Sequence, residues 1–254
     1  MRARGEKALV LFFTAGDQPL EDLPLVVATL EKAGADLIEV GIPFSDPFGE
    51  GPTIQASSQR ALDRGTTHLG VLSQLAKCQT TVPLVTMGYY NNYWSLGLEE
   101  VARRSAESGV SGAIISDLVP DEGDAWCTAA SANGLDTIFL VAPTSTDQRI
   151  SDACKRTTGF VYAVSRTGVT GAENAVPHDV NLLVDRVKAQ TDLPVCVGFG
   201  ISSPEHVANV CRVADGAVIG SFVVDLLRNH WPHGRQTIVE EIRRLKQATT
   251  QKGS

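Results

Sequence analysis

Along the chain, short runs of mostly apolar residues alternate with longer stretches in which apolar residues recur at three-and-four spacing. The short runs predict β-strands over Ala8–Thr14, Leu37–Val40, Leu84–Gly88, Gly112–Ser116, Thr137–Val141, Phe160–Val164, Val195–Phe199 and Gly216–Ile219. The first strand is followed by a helical stripe of Leu23, Val26, Val27 and Leu30. Further helical patterns fall at Glu99–Ser108, Asp121–Asn133, Asp179–Gln190 and Pro204–Cys211, and Phe222–Asn229 and Gln236–Ala248 close the chain. Strands that are apolar nearly throughout belong to parallel sheets covered on both faces. Eight strand–helix units in 254 residues favour an α/β class (β/α)8 TIM barrel over an open doubly wound sheet. No G-x-G-x-x-G follows the first strand, which weakens the dinucleotide-binding alternative. No linker or low-complexity segment interrupts the pattern, so residues 1–254 read as one domain.

Composition narrows the function. A net charge of -7, with no basic run, argues against nucleic acid as a partner. No apolar stretch approaches the roughly 20 residues that span a bilayer. The opening M-R-A-R-G-E-K lacks the apolar core of a signal peptide. The five cysteines are dispersed and odd in number, which suits reduced packing residues of a cytoplasmic protein. The five histidines form no H-x-x-x-H pair, and no metal site is predicted.

In such barrels the chemistry gathers at the C-terminal ends of the strands. Those ends carry Thr14 to Asp17, Glu39, Tyr89 with Asn91, Asp117, Pro143-Thr144, Tyr162 with Ser165-Arg166, Gly198 to Ser202, and Gly220-Ser221. The segment D-L-I-E-V-G-I-P-F-S-D-P-F-G-E-G-P-T-I (Asp36–Ile54) is the densest in chemistry. Its strand core holds Glu39, and a loop stiffened by Pro43, Pro47 and Pro52 holds Asp46 and Glu50. A buried strand acid costs several kcal/mol unless it is partnered or used. Burial would raise the pKa of Glu39 and suit it to proton exchange near neutral pH, although a structural ion pair is an alternative. Asp46 and Glu50 read as more exposed rim residues, and either could cap a turn. Gly-containing turns after strands seven and eight, opening into helices, suit a phosphate or simply permit tight turns. The long polar loop Ser165–Asn174 reads as a lid over the barrel mouth or as a surface loop.

Taken together, F-T-A-G-D (Phe13–Asp17), E-V-G-I-P-F-S-D-P (Glu39–Pro47), G-P-T-I-Q (Gly51–Gln55), M-G-Y-Y-N (Met87–Asn91), S-R-T-G-V-T-G-A-E-N and G-F-G-I-S closely resemble the alpha subunit of tryptophan synthase. The likeness runs from Ala8 to Ala248. It implies a lyase that cleaves indole-3-glycerol phosphate by a retro-aldol reaction into indole and glyceraldehyde 3-phosphate, in tryptophan biosynthesis. It also implies a beta subunit partner in an α–β–β–α complex, to which indole passes. Pyridoxal phosphate would belong to that partner, with no cofactor in this chain.

By the same resemblance Glu39 is the general acid/base, Glu50 holds the indole N–H, and Tyr162 stands beside the catalytic glutamate. Phe12, Met87, Tyr89, Ile114 and Phe199 would line the indole pocket. Gly171, Gly200, Gly220 and Ser221 would hold the phosphate, Arg166 and Thr170 belong to the lid, and Pro43, Asp46, Asn91 and Asp117 face the partner. Two features depart from the family pattern. Glu50 stands where an aspartate is usual, displacing its carboxylate by about one C–C bond, ~1.5 Å. Only seven residues precede Ala8, which implies a shortened N-terminal helical cap. Glu50 also motivates a second reading, a weakly catalytic chain that mainly activates its beta partner. A third keeps the barrel and changes the phosphate ester; the lack of a lysine at any strand end counts against Schiff-base aldolase chemistry.

Overall fold

The computed structural model describes residues 6–164, 178–198 and 200–250. The strands are β1 (Ala8–Thr14), β2 (Leu37–Gly41), β3 (Leu84–Gly88), β4 (Gly112–Ile115), β5 (Asp136–Ile138), β6 (Leu140–Val141), β7 (Val161–Val164), β8 (Val195–Gly198) and β9 (Gly216–Ile219). Every pairing is parallel, in the order β5-β4-β3-β2-β1-β9-β8-β7-β6. Only Phe139 separates β5 from β6, so the two ends of that order meet in one interrupted strand and the sheet curls back on itself as a TIM barrel.

The interruption corrects the single strand predicted over Thr137–Val141, and its cause is local. Threonine side chains just before β7 take over the ladder: Thr158 Oγ1 accepts from Thr137 N at 3.0 Å and Thr157 Oγ1 from Phe139 N at 3.3 Å. The regular ladder resumes at Leu140, opposite Tyr162.

Among the described residues eleven α-helices surround the sheet: α1 (Leu23–Ala33), α2 (Pro52–Asp63), α3 (His68–Leu75), α4 (Tyr90–Trp94), α5 (Leu98–Glu107), α6 (Asp124–Ala132), α7 (Asp147–Arg156), α8 (His178–Lys188), α9 (Pro204–Val213), α10 (Ser221–His230) and α11 (Arg235–Ala248). The helix predicted from Asp121 begins instead at Asp124, after a 3-10 turn over Pro120–Glu122. No helix among the described residues is long and apolar enough to cross a membrane, and all five cysteines are free thiols.

Strand alternation divides the apolar residues into two cores. Leu9, Leu11, Phe13, Ile38, Val40, Ala113, Ile115, Val161, Ala163, Val195 and Val197 point outward and pack with the helices. Val10, Val85, Ile114, Ile138, Tyr162, Cys196 and Val218 fill the barrel interior, with Leu37, Met87 and Leu140 packed against them. The same parity on β2 turns Glu39 inward with Leu37, into an otherwise apolar interior.

Candidate active site

Glu39 lies opposite Phe12 on β1 and Val85 on β3. It is fully buried, and neither carboxylate oxygen has a hydrogen-bond partner. Among the described residues nothing balances a charge there. Burial first, and repulsion from Glu50 second, push its pKa up to about 8. The structural ion pair left open by the sequence is therefore absent among the described residues. A carboxyl with this pKa is mostly protonated at neutral pH yet readily ionised, which suits a group that must both give and take a proton.

The acid that is ion-paired in this region is Asp17. Its carboxylate receives Arg60 Nε at 2.6 Å and Arg60 Nη2 at 2.9 Å, and Arg64 Nη1 binds the Asp17 carbonyl. This fork fastens the turn after β1 to α2, and α2 follows the loop that carries Glu50.

Tyr162 projects from β7 between Leu140 and Cys196. Burial, then the Glu39 and Glu50 carboxylates, keep its phenol protonated. Its ring occupies space left by Gly198, where a Cβ would fall 2.5 Å from Tyr162 Oη. Gly41 does the same for Phe12, whose Cζ would lie 2.6 Å from a Cβ there. Two bulky inward residues thus depend on absent side chains in neighbouring strands.

The loop after β2 is pinned from several sides. Ile42 N donates to Met87 O at 2.7 Å, and Asn92 Nδ2 to Pro43 O at 3.4 Å. Glu50 N donates to Pro47 O at 3.0 Å, and Gln55 Nε2 to Glu50 O at 2.8 Å. Gly49 N donates to Tyr89 Oη at 3.0 Å, while Phe44 stacks on the Tyr89 ring at 5.0 Å and Phe48 tilts against it at 5.3 Å. Glu50 is consequently turned into a recess lined also by Phe12, Met87, Tyr89 and Ser116. Desolvation there raises its pKa. Sequence reasoning placed Glu50 on the rim; the pinned loop instead draws it partly into the mouth, whereas Asp46 is exposed as expected.

The other predicted residues divide by location. Phe12, Met87 and Tyr89 line the recess, while Ile114 lies in the interior core, in register with Met87. Gly220 and Ser221 form the start of α10, which has no side-chain cap, so its first N–H groups are open to an anion. The turn after β8 differs from the expectation: Gly198 ends the strand and α9 starts only at Pro204. The α9 N-terminus is closed by its own Ser203, whose hydroxyl accepts from His206 N at 3.3 Å, so Gly200 sits in a turn before a self-capped helix. Asn91, Asp46 and Asp117 are exposed. Asp117 Oδ1 also accepts from Tyr90 N at 2.6 Å, anchoring α4 to the end of β4. Pro43 is buried, its carbonyl held by Asn92. Phe199, Arg166, Thr170 and Gly171 lie outside the described residues.

Three further residues gain importance only in three dimensions. Ser116 follows β4 and lines the recess. Phe48 and Trp94 are 71 % and 60 % exposed, and Trp94 stacks on Tyr90, the residue that Asp117 anchors. The sequence shows that Trp94 is a tryptophan, but neither its exposure nor its neighbours. No group of three or more potential metal ligands occurs among the described residues.

A parallel barrel with an unpaired acid inside its mouth, a second carboxyl on the adjacent loop and an uncapped helix after its last strand defines a proton-transfer enzyme of the (β/α)8 class. Comparison with known proteins makes the assignment specific. The chain belongs to the tryptophan synthase alpha chain family, whose model matches residues 1–252. It is 48% identical over 226 residues to the tryptophan synthase alpha chain of Citrifermentans bemidjiense, covering 88% of this chain and 85% of the relative. The alpha chain of Gloeobacter violaceus is 46% identical over 253 residues, 98% of this chain and 92% of that one. Among solved structures, tryptophan synthase from M. tuberculosis in an aminoacrylate-bound form matches with a TM-score of 0.88 at 33% identity, covering 98% of this chain and 95% of that one. A structure of the tryptophan synthase α2β2 complex from Pyrococcus furiosus matches with a TM-score of 0.89 at 32% identity, over 94% of this chain and 98% of that one.

Proposed function

We propose that this chain is the alpha component of a tryptophan synthase, cleaving indole-3-glycerol phosphate to indole and glyceraldehyde 3-phosphate and passing indole to a beta subunit. The observation that carries the mechanism is Glu39, a fully buried carboxyl with no hydrogen-bond partner among the described residues and a pKa pushed up to about 8.

In the reading these residues support, protonated Glu39 gives its proton to the indole ring carbon bearing the glycerol chain. The ring becomes cationic, with the charge centred on its N–H. The same carboxylate then takes the proton of the adjacent hydroxyl. That O–H pair forms the aldehyde C=O, the carbon–carbon bond breaks, and its electrons return to the ring to neutralise it. Glu39 ends as it began, so one carboxyl suffices. Glu50 stabilises the cationic N–H, an interaction strongest when that charge develops. Tyr162 is a neutral phenol beside Glu39. The open N–H groups at Gly220 and Ser221 suit the phosphate, joined by Gly171 and Gly200. Phe199 would complete the indole pocket, and Arg166 and Thr170 would serve the lid. The steps are proton transfers within one substrate, so pyridoxal phosphate is assigned to the beta partner.

For that partner, Asp46, Asn91 and Asp117 are exposed on the same face as the apolar residues Phe48 and Trp94. Aromatic anchors amid polar neighbours are the usual composition of a binding hot spot. Release of glyceraldehyde 3-phosphate, followed with a coupled dehydrogenase, tests the activity. Equal rates for the wild type and Glu39→Gln would remove Glu39 from the mechanism. In the complex, Trp94→Ala should weaken beta binding at least tenfold while leaving cleavage by the isolated chain unchanged.

A further inference from the structure

Ser116 holds a position that none of the roles above uses. Its N–H donates to Gly88 O at 2.8 Å, which continues the β3–β4 ladder one residue beyond Ile115. Strand alternation is therefore preserved: Ile114 points into the barrel, Ile115 outward, and Ser116 inward again, one layer nearer the mouth. There its side chain joins Phe12, Phe44, Met87, Tyr89 and Glu50 around the recess.

Ser116 Oγ is buried and has no hydrogen-bond partner among the described residues. Of the other hydroxyls lining the recess, those of Thr14, Ser58 and Tyr89, two make contacts within the protein. Thr14 Oγ1 pairs with Ser57 Oγ at 2.6 Å, and Tyr89 Oη accepts from Gly49 N. A buried hydroxyl left unpaired is destabilising and is retained where something else fills the valence. The aromatic and apolar walls of the recess come from the first three strands, the loop after β2 and α2, whereas the open helix N-terminus follows β9. A substrate with a flat ring at one end and a phosphate at the other would place its ring here, and the sole polar hydrogen of an indole ring is its N–H.

We propose that Ser116 is a substrate-binding, specificity-determining residue whose Oγ accepts a hydrogen bond from the indole N–H, shared with Glu50 as a three-centre contact. This rests on the functional reading above. The neutral oxygen recognises the ring before charge develops, and the carboxylate strengthens as the ring becomes cationic. Ser116 therefore acts mainly on binding and Glu50 mainly on turnover.

The test compares ring ligands differing only at that atom: indole, and benzofuran, which carries an oxygen acceptor in place of N–H. Binding of both is measured for wild type, Ser116→Ala and Ser116→Thr, with indole-3-glycerol phosphate cleavage in parallel. Ser116→Ala should weaken indole about five- to tenfold, as expected for loss of one hydrogen bond, and leave benzofuran unchanged. It should raise KM with kcat nearly constant, and Ser116→Thr should retain the preference for indole. An unchanged indole-to-benzofuran ratio in an active Ser116→Ala enzyme would overturn the inference, whether both ligands weaken equally, which would leave Ser116 a packing residue, or neither weakens. Failure of the wild type to cleave substrate would instead strike the underlying functional reading.

Discussion

Replacing Glu39 with glutamine separates the electrostatic cost of a buried acid from the chemistry it performs. In the unfolded chain Glu39 titrates at its ordinary 4.5; in the folded barrel it titrates at about 8. Between those values the folded state holds the proton more tightly, so stability is greatest below the lower value and falls as pH rises through the window. At about 1.4 kcal/mol per pH unit, the loss between pH 5 and pH 8 comes to about 3–4 kcal/mol. Glutamine has a similar shape and does not titrate. Its own unpaired amide carries a cost, but that cost is the same at every pH. The difference in Tm between Glu39→Gln and the wild type should thus move in favour of the variant by on the order of 10 °C from pH 5 to pH 8, at ~2–4 °C per kcal/mol for a chain of this size. Thermal unfolding followed by circular dichroism at several pH values measures it, and other titrating groups cancel in the comparison. Cleavage should fall by about 10²–10⁴-fold in the same variant. A Tm difference that stays constant with pH would refute the raised pKa and, with it, the account of how Glu39 remains protonated at neutrality.

Glu50→Gln should lower kcat about 10- to 100-fold with a smaller change in KM, because its charge matters most when the ring is cationic; steady-state kinetics distinguish this from a binding defect. Tyr89→Phe removes the acceptor of the exposed Gly49 N–H, which water can replace, and should cost about 0.5–1.5 kcal/mol of stability in chemical denaturation. It should also reduce kcat by loosening the Glu50 loop. Gly198→Ala places a Cβ against the Tyr162 phenol and should destabilise by about 1–3 kcal/mol through overpacking, while Gly198→Ala combined with Tyr162→Phe should recover part of that loss.

The alternation of short apolar strands with helical stripes is what the sequence by itself determined. Strands apolar on both faces imply parallel pairing, and the strand-end position of Glu39 put it inside the barrel mouth before any coordinates. Which face of β2 turns inward was not legible, because Leu37, Ile38 and Val40 are all apolar. The interruption at Phe139 was not legible, because it depends on hydroxyls of Thr157 and Thr158, distant in the chain.

Only the tertiary structure decided which acids are paired and which are bare. Asp17 and Glu39 both sit near strand ends; Arg60, 43 residues away, neutralises the first, and no described side chain reaches the second. Tyr89, 40 residues from Gly49, turns Glu50 from a rim residue into a lining residue. The same packing leaves the Ser116 hydroxyl unpaired in that recess. Periodicity is a local property of the backbone, whereas partnership and desolvation depend on groups that meet only when the barrel closes.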